Sequence, residues 1–443
     1  MIDLHTLREN PKEIFELLER RGVSRDSLED LVQADRQVRS LFSKRDALRA
    51  KINDLSKEVG KAYRDKNSEL AQAHIDASKS AGVELELLSQ QALEAEHKRN
   101  ALWMVIPNIP DPKAPIGSSE QENLVVRYWH PENGYSTVLP EVEYSGYKKV
   151  AHWDIGIELD ILDFARAAKL SGSMFPMFKG SGARMLRALT SFALDQHTDE
   201  FLEIRPPSFV RRETMISTGH LPKFADDAYQ IEADDLWAIP TAEVPLTSMA
   251  RDEILEDGDL PIKMTAATPC YRREAGSAGR DTRGLLRLHE FDKVELMVYA
   301  KPDHYRETFD EILRRAEDIL QKLGLYYRVL DLCTGDLGAS ARRTFDLEVF
   351  APGVERWLEV SSVSWFGDYQ ARRANIRYRN AIDQQIYHVH TLNGSALAWP
   401  RVFAAILENF RDYDGSVEIP KVLVPYMGGL DRILPISGGV AKD

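Results

Sequence analysis

The 443-residue sequence predicts an α+β protein in which a long antiparallel helical hairpin precedes an antiparallel β-sheet domain flanked by helices. The stretch 28–102 contains no proline and repeats leucine every seven residues, which is typical of coiled-coil helices. Further on, 345–350 alternates apolar and polar residues, a Pro-Gly turn follows, and 356–361 resumes the pattern, which predicts a β-hairpin. Strands joined by hairpins with helices elsewhere favour α+β over a parallel sheet, and no Gly-x-x-x-x-Gly-Lys phosphate loop is present.

The helical hairpin is predicted from two apolar tracks and a polar break. The tracks are Leu41, Leu48 and Leu55 on one side and Val38, Ile52 and Val59 on the other, with Arg45 interrupting the second. After the polar stretch 64–68 a second series follows, made of Leu88, Ala95 and Leu102. Two legs of about 35 residues would each reach roughly 50 Å. The pattern alone also fits a coiled coil that only dimerises.

Charge is distributed unevenly over the chain. The whole sequence has 57 Lys+Arg and 70 Asp+Glu, and its net charge of −13 argues against a nucleic-acid partner. The segment 33–66, however, has ten basic and five acidic residues, whereas 67–100 has three basic and six acidic residues. A basic helix can follow a phosphate backbone, although charge alone also fits a solvated helix surface. The basic side chains on this leg that we expect to contact such a backbone are Arg36, Arg39, Lys44, Arg45, Arg49 and Lys51.

The positions of the prolines and the change in residue pattern along the chain define the domain boundaries that we predict. A proline-rich joint at 106–115 ends the hairpin, and mixed α and β patterns begin near residue 150. We therefore expect a helical arm at 1–105, a linker at 106–150 and a catalytic domain at 151–443. Within the last, 185–194 is predicted to be a helix.

The sequence also predicts the compartment. No run approaches the roughly 18 apolar residues needed to span a membrane, and the first residues lack the layout of a signal peptide. The two cysteines, Cys270 and Cys333, cannot build a disulfide framework or a four-thiolate metal site. We therefore expect a cytoplasmic protein without a membrane partner and without zinc.

The segment 269–295 concentrates groups suited to nucleotide chemistry. Arg272, Arg273 and Glu274 fall on a predicted strand, Arg280 and Arg283 in a glycine-rich loop, and Arg287, Phe291 and Glu295 four residues apart on one face of a second strand. Arginine binds two phosphate oxygens at once, an aromatic ring can stack on a base, and a carboxylate can hold an amine. The alternative is a hairpin with surface ion pairs and a flexible turn.

This segment resembles motif 2 of class II aminoacyl-tRNA synthetases and is similar in detail to seryl-tRNA synthetases. The resemblance continues over nearly the whole chain, at 7–11, 107–110, 240–246, 333–336, 370–377, 391–395 and 425–429. It implies a class II synthetase-like antiparallel sheet preceded by a tRNA-binding coiled-coil arm. Three segments depart from the family pattern: 363–367, the Trp399-Pro400 pair, and Pro176 with Met177, where aromatic residues are common.

The resemblance implies a role for each matching residue. Arg272 and Arg401 would be the catalytic arginines, on the α- and γ-phosphates of ATP, and Arg272 would also hold the serine carboxylate. The serine site would contain Thr241, Glu243, Arg272, Glu295, Asn393 and Ser395. The ATP site would contain Arg272, Arg273, Glu274, Arg287, Phe291, Glu359, Val360, Ser361, Ser362 and Arg401. Glu359 and Ser362 would bind Mg²⁺, a hard ion that prefers oxygen ligands.

The activity that the resemblance implies is the ATP-dependent activation of L-serine and its transfer to tRNA(Ser), by a homodimer. Arg280 and Arg283 would add tRNA contacts near the active site. One alternative is a paralogue that activates serine, or a related small amino acid, for an acceptor other than tRNA. Another is a non-enzymatic coiled-coil binding protein.

Overall fold

The computed structural model describes residues 1–276 and 282–436. The chain divides into two compact units, one made of Asp3–Ile106 and the other of Met1–Ile2 with Pro107–Asp443. In the described ranges, no helix is long and apolar enough to cross a membrane.

The first unit consists of helices. They are α1 (Leu4–Glu9), α2 (Pro11–Glu19), α3 (Arg25–Arg64) and α4 (Ser68–Val105). The Ser24 hydroxyl caps α3 by accepting from the Ser27 N–H at 3.3 Å, and the Asn67 side chain caps α4 by accepting from the Leu70 N–H at 3.0 Å. Helices α3 and α4 pack along each other, and the 40 residues of α3 span about 60 Å. The predicted helical hairpin is confirmed, with its turn at the polar break.

Burial along α3 follows the two predicted apolar tracks. Val38 and Leu48 are buried, and Leu41, Ile52, Leu55 and Val59 are half-buried. The interrupting Arg45 is also half-buried, and its guanidinium lies 4.3 Å from the centroid of the Phe42 ring. An arginine is accommodated here because its apolar stem and planar head can cover an aromatic neighbour.

A buried carboxylate joins three helices of this unit. Asp35 is 2% exposed and accepts hydrogen bonds from Arg8 at 2.8 and 2.9 Å and from Arg39 at 3.0 Å. Arg99 of α4 lies 3.7 Å away. Burial raises the pKa of this carboxyl, but the hydrogen bonds from Arg8 and Arg39 outweigh burial and hold it below its ordinary value.

The second unit is of mixed α and β structure. Its helices of six residues or more are α5 (His152–Glu158), α6 (Phe164–Ser171), α7 (Gly180–Asp195), α8 (Arg212–Thr218), α9 (Glu243–Ser248), α10 (Tyr305–Leu323), α11 (Tyr369–Ala374) and α12 (Trp399–Asn409). Its strands are β1 (Leu124–His130), β2 (Gly134–Ser136), β3 (Leu202–Glu203), β4 (Phe209–Arg211), β5 (Gln230–Ile231), β6 (Leu236–Ala238), β7 (Ile254–Glu256), β8 (Ile262–Tyr271), β9 (Glu290–Ala300), β10 (Tyr327–Asp331), β11 (Arg343–Ala351), β12 (Arg356–Gly367), β13 (Arg377–Arg379), β14 (Ile386–His388), β15 (His390–Ala398), β16 (Val417–Glu418) and β17 (Arg432–Ile433).

Nine of the described strands form one sheet in the order β2-β1-β10-β11-β12-β15-β9-β8-β3. All neighbours are antiparallel except β3, which lies parallel to β8. The predicted antiparallel sheet and the β11–β12 hairpin are confirmed. The segment 106–150, however, is more than the linker we expected, because β1 and β2 lie within it and pair into the sheet. The exact domain boundaries stay a prediction.

Helices α7, α10 and α12 supply the main hydrophobic core against the sheet. Met185 and Leu189 of α7, Ile312 of α10 and Phe403 of α12 are all fully buried in it. The predicted helix at 185–194 lies within α7. Gly394 of β15 permits the close approach of α10, since a Cβ there would lie 2.4 Å from Cγ2 of Ile312. With one face of β15 committed to this packing, its other face is available for polar residues.

Candidate active site

A cavity of about 420 Å³ lies beside the central strands β9, β12 and β15. It receives side chains from the N-terminal end of α9, from the ends of β8 and β9, and from the start of α12. Of the residues that we predicted for the serine and ATP sites, those that line it are Thr241, Glu243, Arg272, Glu274, Arg287, Phe291, Glu359, Val360, Ser361, Ser362, Asn393, Ser395 and Arg401. Residues far apart in the sequence therefore meet at one place, as the resemblance implied.

Two carboxylates meet at one end of this cavity. The Asn393 side-chain amide donates to Glu243 Oε2 and to Glu295 Oε1, at 2.9 Å in each case. Glu295 is fully buried, and its Oε2 forms an ion pair with Lys293 Nζ. Glu295 does not itself line the cavity, whereas its partners Asn393 and Lys293 do. The backbone N–H of Glu243 donates to the Thr241 hydroxyl at 3.2 Å, which fixes the start of α9.

This end of the cavity carries acceptors for a cationic ligand. In the described part of the chain, Oδ1 of the buried Asn393 has no hydrogen-bond partner, although such buried groups are normally paired. Burial, followed by the negative charge of Glu295, raises the pKa of Glu243 to about 7, against the opposing charge of Lys293. A small ammonium ion bound here would gain a carboxylate partner and would satisfy the unpaired amide oxygen.

Two arginine side chains, Arg272 and Arg401, also line this cavity. The Arg272 guanidinium lies 5.1 Å from the Phe291 ring centroid. Arg401, at the start of α12, donates to the backbone oxygens of Glu359 at 2.8 Å and Leu286 at 3.2 Å. The cavity wall therefore offers two planar cations, one of them beside an aromatic ring, which suits an aromatic base attached to phosphates.

The structure corrects our assignment of strand ends around Arg272. Strand β8 ends at Tyr271, so Arg272 and Glu274 follow it, and Arg287 precedes β9 instead of lying on its face. Glu274 has a φ of 51°, a left-handed conformation that no regular strand allows. Its carboxylate accepts from Arg287 at 2.8 Å, so the two residues face each other across the loop.

Arg273 does not line the cavity, although we predicted it at the ATP site. Its guanidinium donates to the Asp226 backbone oxygen at 3.2 Å, and its own N–H donates to Asp227 O. Arg283, which we predicted to contact tRNA, has its guanidinium 4.6 Å from the Trp153 ring centroid and 68% of its side chain exposed. Arg280 lies outside the described residues.

Oxygen atoms dominate the predicted metal position on β12. The Glu359 carboxylate is half exposed, and Oε2 lies 3.5 Å from Arg401 Nη1. Among the described residues, Oδ1 of Asp346 on the paired strand β11, opposite Ser362, lacks a hydrogen-bond partner. A carboxylate and a hydroxyl beside an arginine-lined phosphate site fit Mg²⁺, whose remaining ligands are commonly phosphate oxygens and water. In the described ranges, no group of three or more His, Cys, Asp or Glu could hold a metal alone.

Ser361 and Val360 have structural contacts as well as a place on the cavity wall. The Ser361 hydroxyl donates to the backbone oxygen of Ser395 at 2.6 Å and so ties β12 to β15. Val360 is 2% exposed and belongs to the main core.

The predicted tRNA contacts on α3 are mostly exposed. Arg36, Lys44, Arg49 and Lys51 are exposed, whereas Arg45 is half-buried and Arg39 is hydrogen-bonded to Asp35. Arg49 also lies 3.9 Å from Asp46. Four of the six side chains therefore present their charge to solvent with little competition from internal partners.

Sequence reasoning missed several polar residues around the cavity. Lys293, the ion-pair partner of Glu295, could have been found from its place on the same strand face. His220 lines the cavity, and its Nδ1 lies 2.7 Å from the Thr218 hydroxyl. Burial, with the positive charges of Arg272 and Lys293, lowers the pKa of His220 to about 4, so its imidazole is neutral at pH 7.

A buried His–Glu pair supports the segment that leads into β9. Glu408 Oε1 accepts from both the backbone N–H and Nδ1 of His152, the latter at 2.7 Å. Nε2 of His152 accepts from the Leu285 N–H at 3.0 Å. A Cβ at Gly284 would lie 2.4 Å from that same Nε2, so glycine is required for this approach. The pair thereby fixes the backbone next to Leu286, whose oxygen anchors Arg401.

The two tryptophans in the departing segments 363–367 and Trp399-Pro400 do not line the cavity. Trp365 stacks on Tyr305 at 3.9 Å between ring centroids, and Trp399 packs edge-on against Phe178 at 4.9 Å. Phe366, Ser364 and Pro400 do line the cavity. The departures thus change its wall at a few positions and leave the carboxylates and arginines in place.

The fold and the site define a class II aminoacyl-tRNA synthetase core. The profile of the tRNA synthetase class II core domain (G, H, P, S and T) matches residues 226–410, and that of the seryl-tRNA synthetase N-terminal domain matches residues 1–110. The chain belongs to the seryl-tRNA synthetase family.

Close relatives of known name and structure share nearly the full length of the chain. The serine–tRNA ligase of Syntrophotalea carbinolica is 46% identical over 98% of this chain and 100% of its own. That of Thermomicrobium roseum is 45% identical over 98% and 95% of the two chains. The crystal structure of seryl-tRNA synthetase from Pyrococcus horikoshii complexed with ATP has a TM-score of 0.91 at 36% identity, covering 99% of this chain and 100% of that one.

Proposed function

We propose that the protein activates L-serine with ATP to form seryl-adenylate and pyrophosphate, and then transfers serine to the 3′ end of tRNA(Ser) with release of AMP. The observation that carries this proposal is one cavity lined by Glu243, Asn393, Arg272 and Arg401, in which Asn393 bridges Glu243 to the buried Glu295. The carboxylates suit a small ammonium compound, and the arginines suit a polyphosphate. Family membership and the high coverage of the relatives support the same conclusion.

Formation of seryl-adenylate depends more on the positioning of serine and ATP than on proton transfer. A carboxylate oxygen of serine attacks the α-phosphorus, the bond to the β-phosphate oxygen breaks, and pyrophosphate leaves. That carboxylate is already ionised, so no general base is required. Arg272 would hold the α-phosphate together with the serine carboxylate, and Arg401 the γ-phosphate, where they offset charge that develops in the transition state.

The remaining residues are proposed to bind substrate. Thr241, Glu243 and Glu295 would surround the serine amino group, with Asn393 and Ser395 near its side chain. Glu274 would contact the adenine amino group, Phe291 would stack on the ring, and Arg287 would lie beside it. Glu359 and Ser362 would hold Mg²⁺, which when bound neutralises phosphate charge.

The helical unit is proposed to bind tRNA through its basic leg. We also propose that the enzyme works as a cytoplasmic homodimer without zinc, with a boundary between arm and catalytic domain near residue 105.

The proposal is tested by two measurements on the purified protein. We expect serine-dependent ATP–pyrophosphate exchange, and transfer of labelled serine to tRNA(Ser). An absence of exchange would show that the chain does not activate serine. Exchange without transfer would instead indicate an acceptor other than tRNA.

The raised pKa of Glu243 leads to a prediction about how activity depends on pH. A pKa near 7 means that lowering the pH protonates this carboxylate and removes a partner of the serine ammonium ion. We expect kcat/KM for serine, at saturating ATP, to fall by up to about tenfold per pH unit below about 7. The control is Glu243→Gln, which should have low activity and no such slope. A wild-type profile that is flat between pH 5.5 and 7 would contradict the prediction.

A further inference from the structure

A buried amide stands behind the serine end of the cavity. Gln370, in helix α11, is 0% exposed and does not line the cavity. Its Nε2 donates to Glu243 Oε1 at 2.6 Å, and its Oε1 accepts from the Thr391 hydroxyl at 2.7 Å. Thr391, at the start of β15, is also fully buried. Neither residue lines the cavity, and we expect an effect on substrate to act through Glu243, to which Gln370 donates.

The direction of these hydrogen bonds matches an ionised Glu243. A carboxylate can only accept, so the amide must turn its NH₂ group towards Glu243 and its oxygen towards Thr391. The Thr391 hydroxyl can then donate to that oxygen. If Glu243 were protonated, the amide could turn round and accept from it, while the hydroxyl accepted from the amide. In the orientation that the structure shows, the Gln370 amide donates to Glu243, and this hydrogen bond favours the charged form of the carboxyl over the neutral one.

The charges around Glu243 explain why such a donor matters. Burial and the facing carboxylate of Glu295 disfavour its charged form, and Lys293 and Arg272 favour it. Asn393 shares its amide between Glu243 and Glu295. In the described part of the chain, Gln370 is therefore the side-chain amide that donates a hydrogen bond to Glu243 without also donating one to Glu295. Each oxygen of Glu243 receives one amide N–H, which fixes the plane of the carboxylate towards the cavity.

We propose that Gln370, oriented by Thr391, is a positioning residue that holds the Glu243 carboxylate charged and correctly turned for the serine ammonium ion. The inference rests on the proposed function and adds to it a determinant of serine affinity that contacts no substrate. A hydrogen bond to a charged group is among the stronger ones in proteins, so its loss should be measurable in binding.

The test compares Gln370→Met, which keeps the length of the side chain but has no donor, with the wild type. We expect KM for serine to rise about 10- to 100-fold, with KM for ATP changed less than about twofold. The midpoint of the pH profile of kcat/KM for serine should move to higher pH. A merely structural defect would raise both KM values and leave that midpoint in place. The matched control is Gln385→Met, at an exposed position, which should behave as wild type.

A second pair of variants keeps the test informative if Gln370→Met does not fold. Thr391→Val removes the hydroxyl and should change serine KM and the pH midpoint in the same direction, by a smaller factor, whereas Thr391→Ser should restore both. Wild-type serine KM and pH midpoint in Gln370→Met, or in Thr391→Val, would overturn the inference and leave the proposed function intact. Failure of the wild type in serine-dependent exchange would instead overturn the proposed function.

Discussion

Replacing Arg272 by alanine is expected to lower serine-dependent ATP–pyrophosphate exchange by at least about 100- to 1,000-fold. Preorganised donors to a developing anion commonly contribute this much, and Arg272 is proposed to contact both reacting groups. In the described part of the chain, its guanidinium forms no ion pair with a carboxylate and packs on the Phe291 ring. It is therefore available for substrate in the free enzyme.

The substitution should spare the fold. Arg272 is exposed, and its backbone N–H, not its side chain, donates to His289 at 2.9 Å. Arg272→Lys should recover only part of the activity, because lysine keeps the charge but cannot bind two oxygens in a plane. Arg379→Ala, at an exposed position on β13, serves as the control. Near-normal exchange by Arg272→Ala, measured at saturating ATP and serine, would refute the assignment.

Removing the outer part of the helical hairpin is expected to separate activation from charging. Oδ1 of Asp35 on α3 and Nη1 of Arg99 on α4 lie 3.7 Å apart, so the two helices can be rejoined next to these residues. Deleting residues 36–98 and inserting a short glycine-rich turn keeps the contact of Asp35 with Arg8 and removes every basic candidate on α3. We expect exchange within about twofold of wild type and a fall of at least about 100-fold in kcat/KM for tRNA, because the phosphate contacts supply most of such affinity.

Substitutions on α3 distinguish the effect of its positive charge on charging of tRNA from the effect of the length of the hairpin. Changing the exposed Arg36, Lys44, Arg49 and Lys51 together to glutamine should weaken charging less than the deletion. It should also make charging less sensitive to salt, since fewer counterions are released on binding. The same change at Glu69, Glu86 and Glu94 on α4 is the control and should not reduce charging. Undiminished charging by the shortened protein would show that the hairpin is not the tRNA arm.

Local patterns in the sequence were enough to predict the helical unit. The seven-residue tracks and the polar break at 64–68 depend only on spacing, and both the paired helices and their turn are confirmed. The β11–β12 hairpin was equally predictable from alternation and a Pro-Gly turn. The ends of β8 and β9 were not predicted correctly: β8 ends at Tyr271, the left-handed backbone of Glu274 excludes it from a regular strand, and β9 begins only at Glu290.

The site required long-range information that spacing does not contain. Glu295 and Asn393 are 98 residues apart and Glu243 and Gln370 are 127 apart, and they meet only because the sheet and helices bring them together. Resemblance placed the first three of these in one site, and the structure brings them together, while their roles stay predictions. Gln370 lies within the matching segment 370–377, but its residue type and spacing do not indicate what a buried glutamine contacts.

The serine end of the cavity is built from parts that differ in local stability. Glu295 and Asn393 lie on β9 and β15, in the middle of the sheet, where backbone amides open to solvent only with large-scale unfolding. Glu243 and Gln370 lie on α9 and α11, each a single six-residue helix. Amide hydrogen exchange should therefore be slow on one side of the serine site and fast on the other. Bound serine would protect mainly the two short helices, so amino-acid affinity can be retuned there without disturbing the sheet.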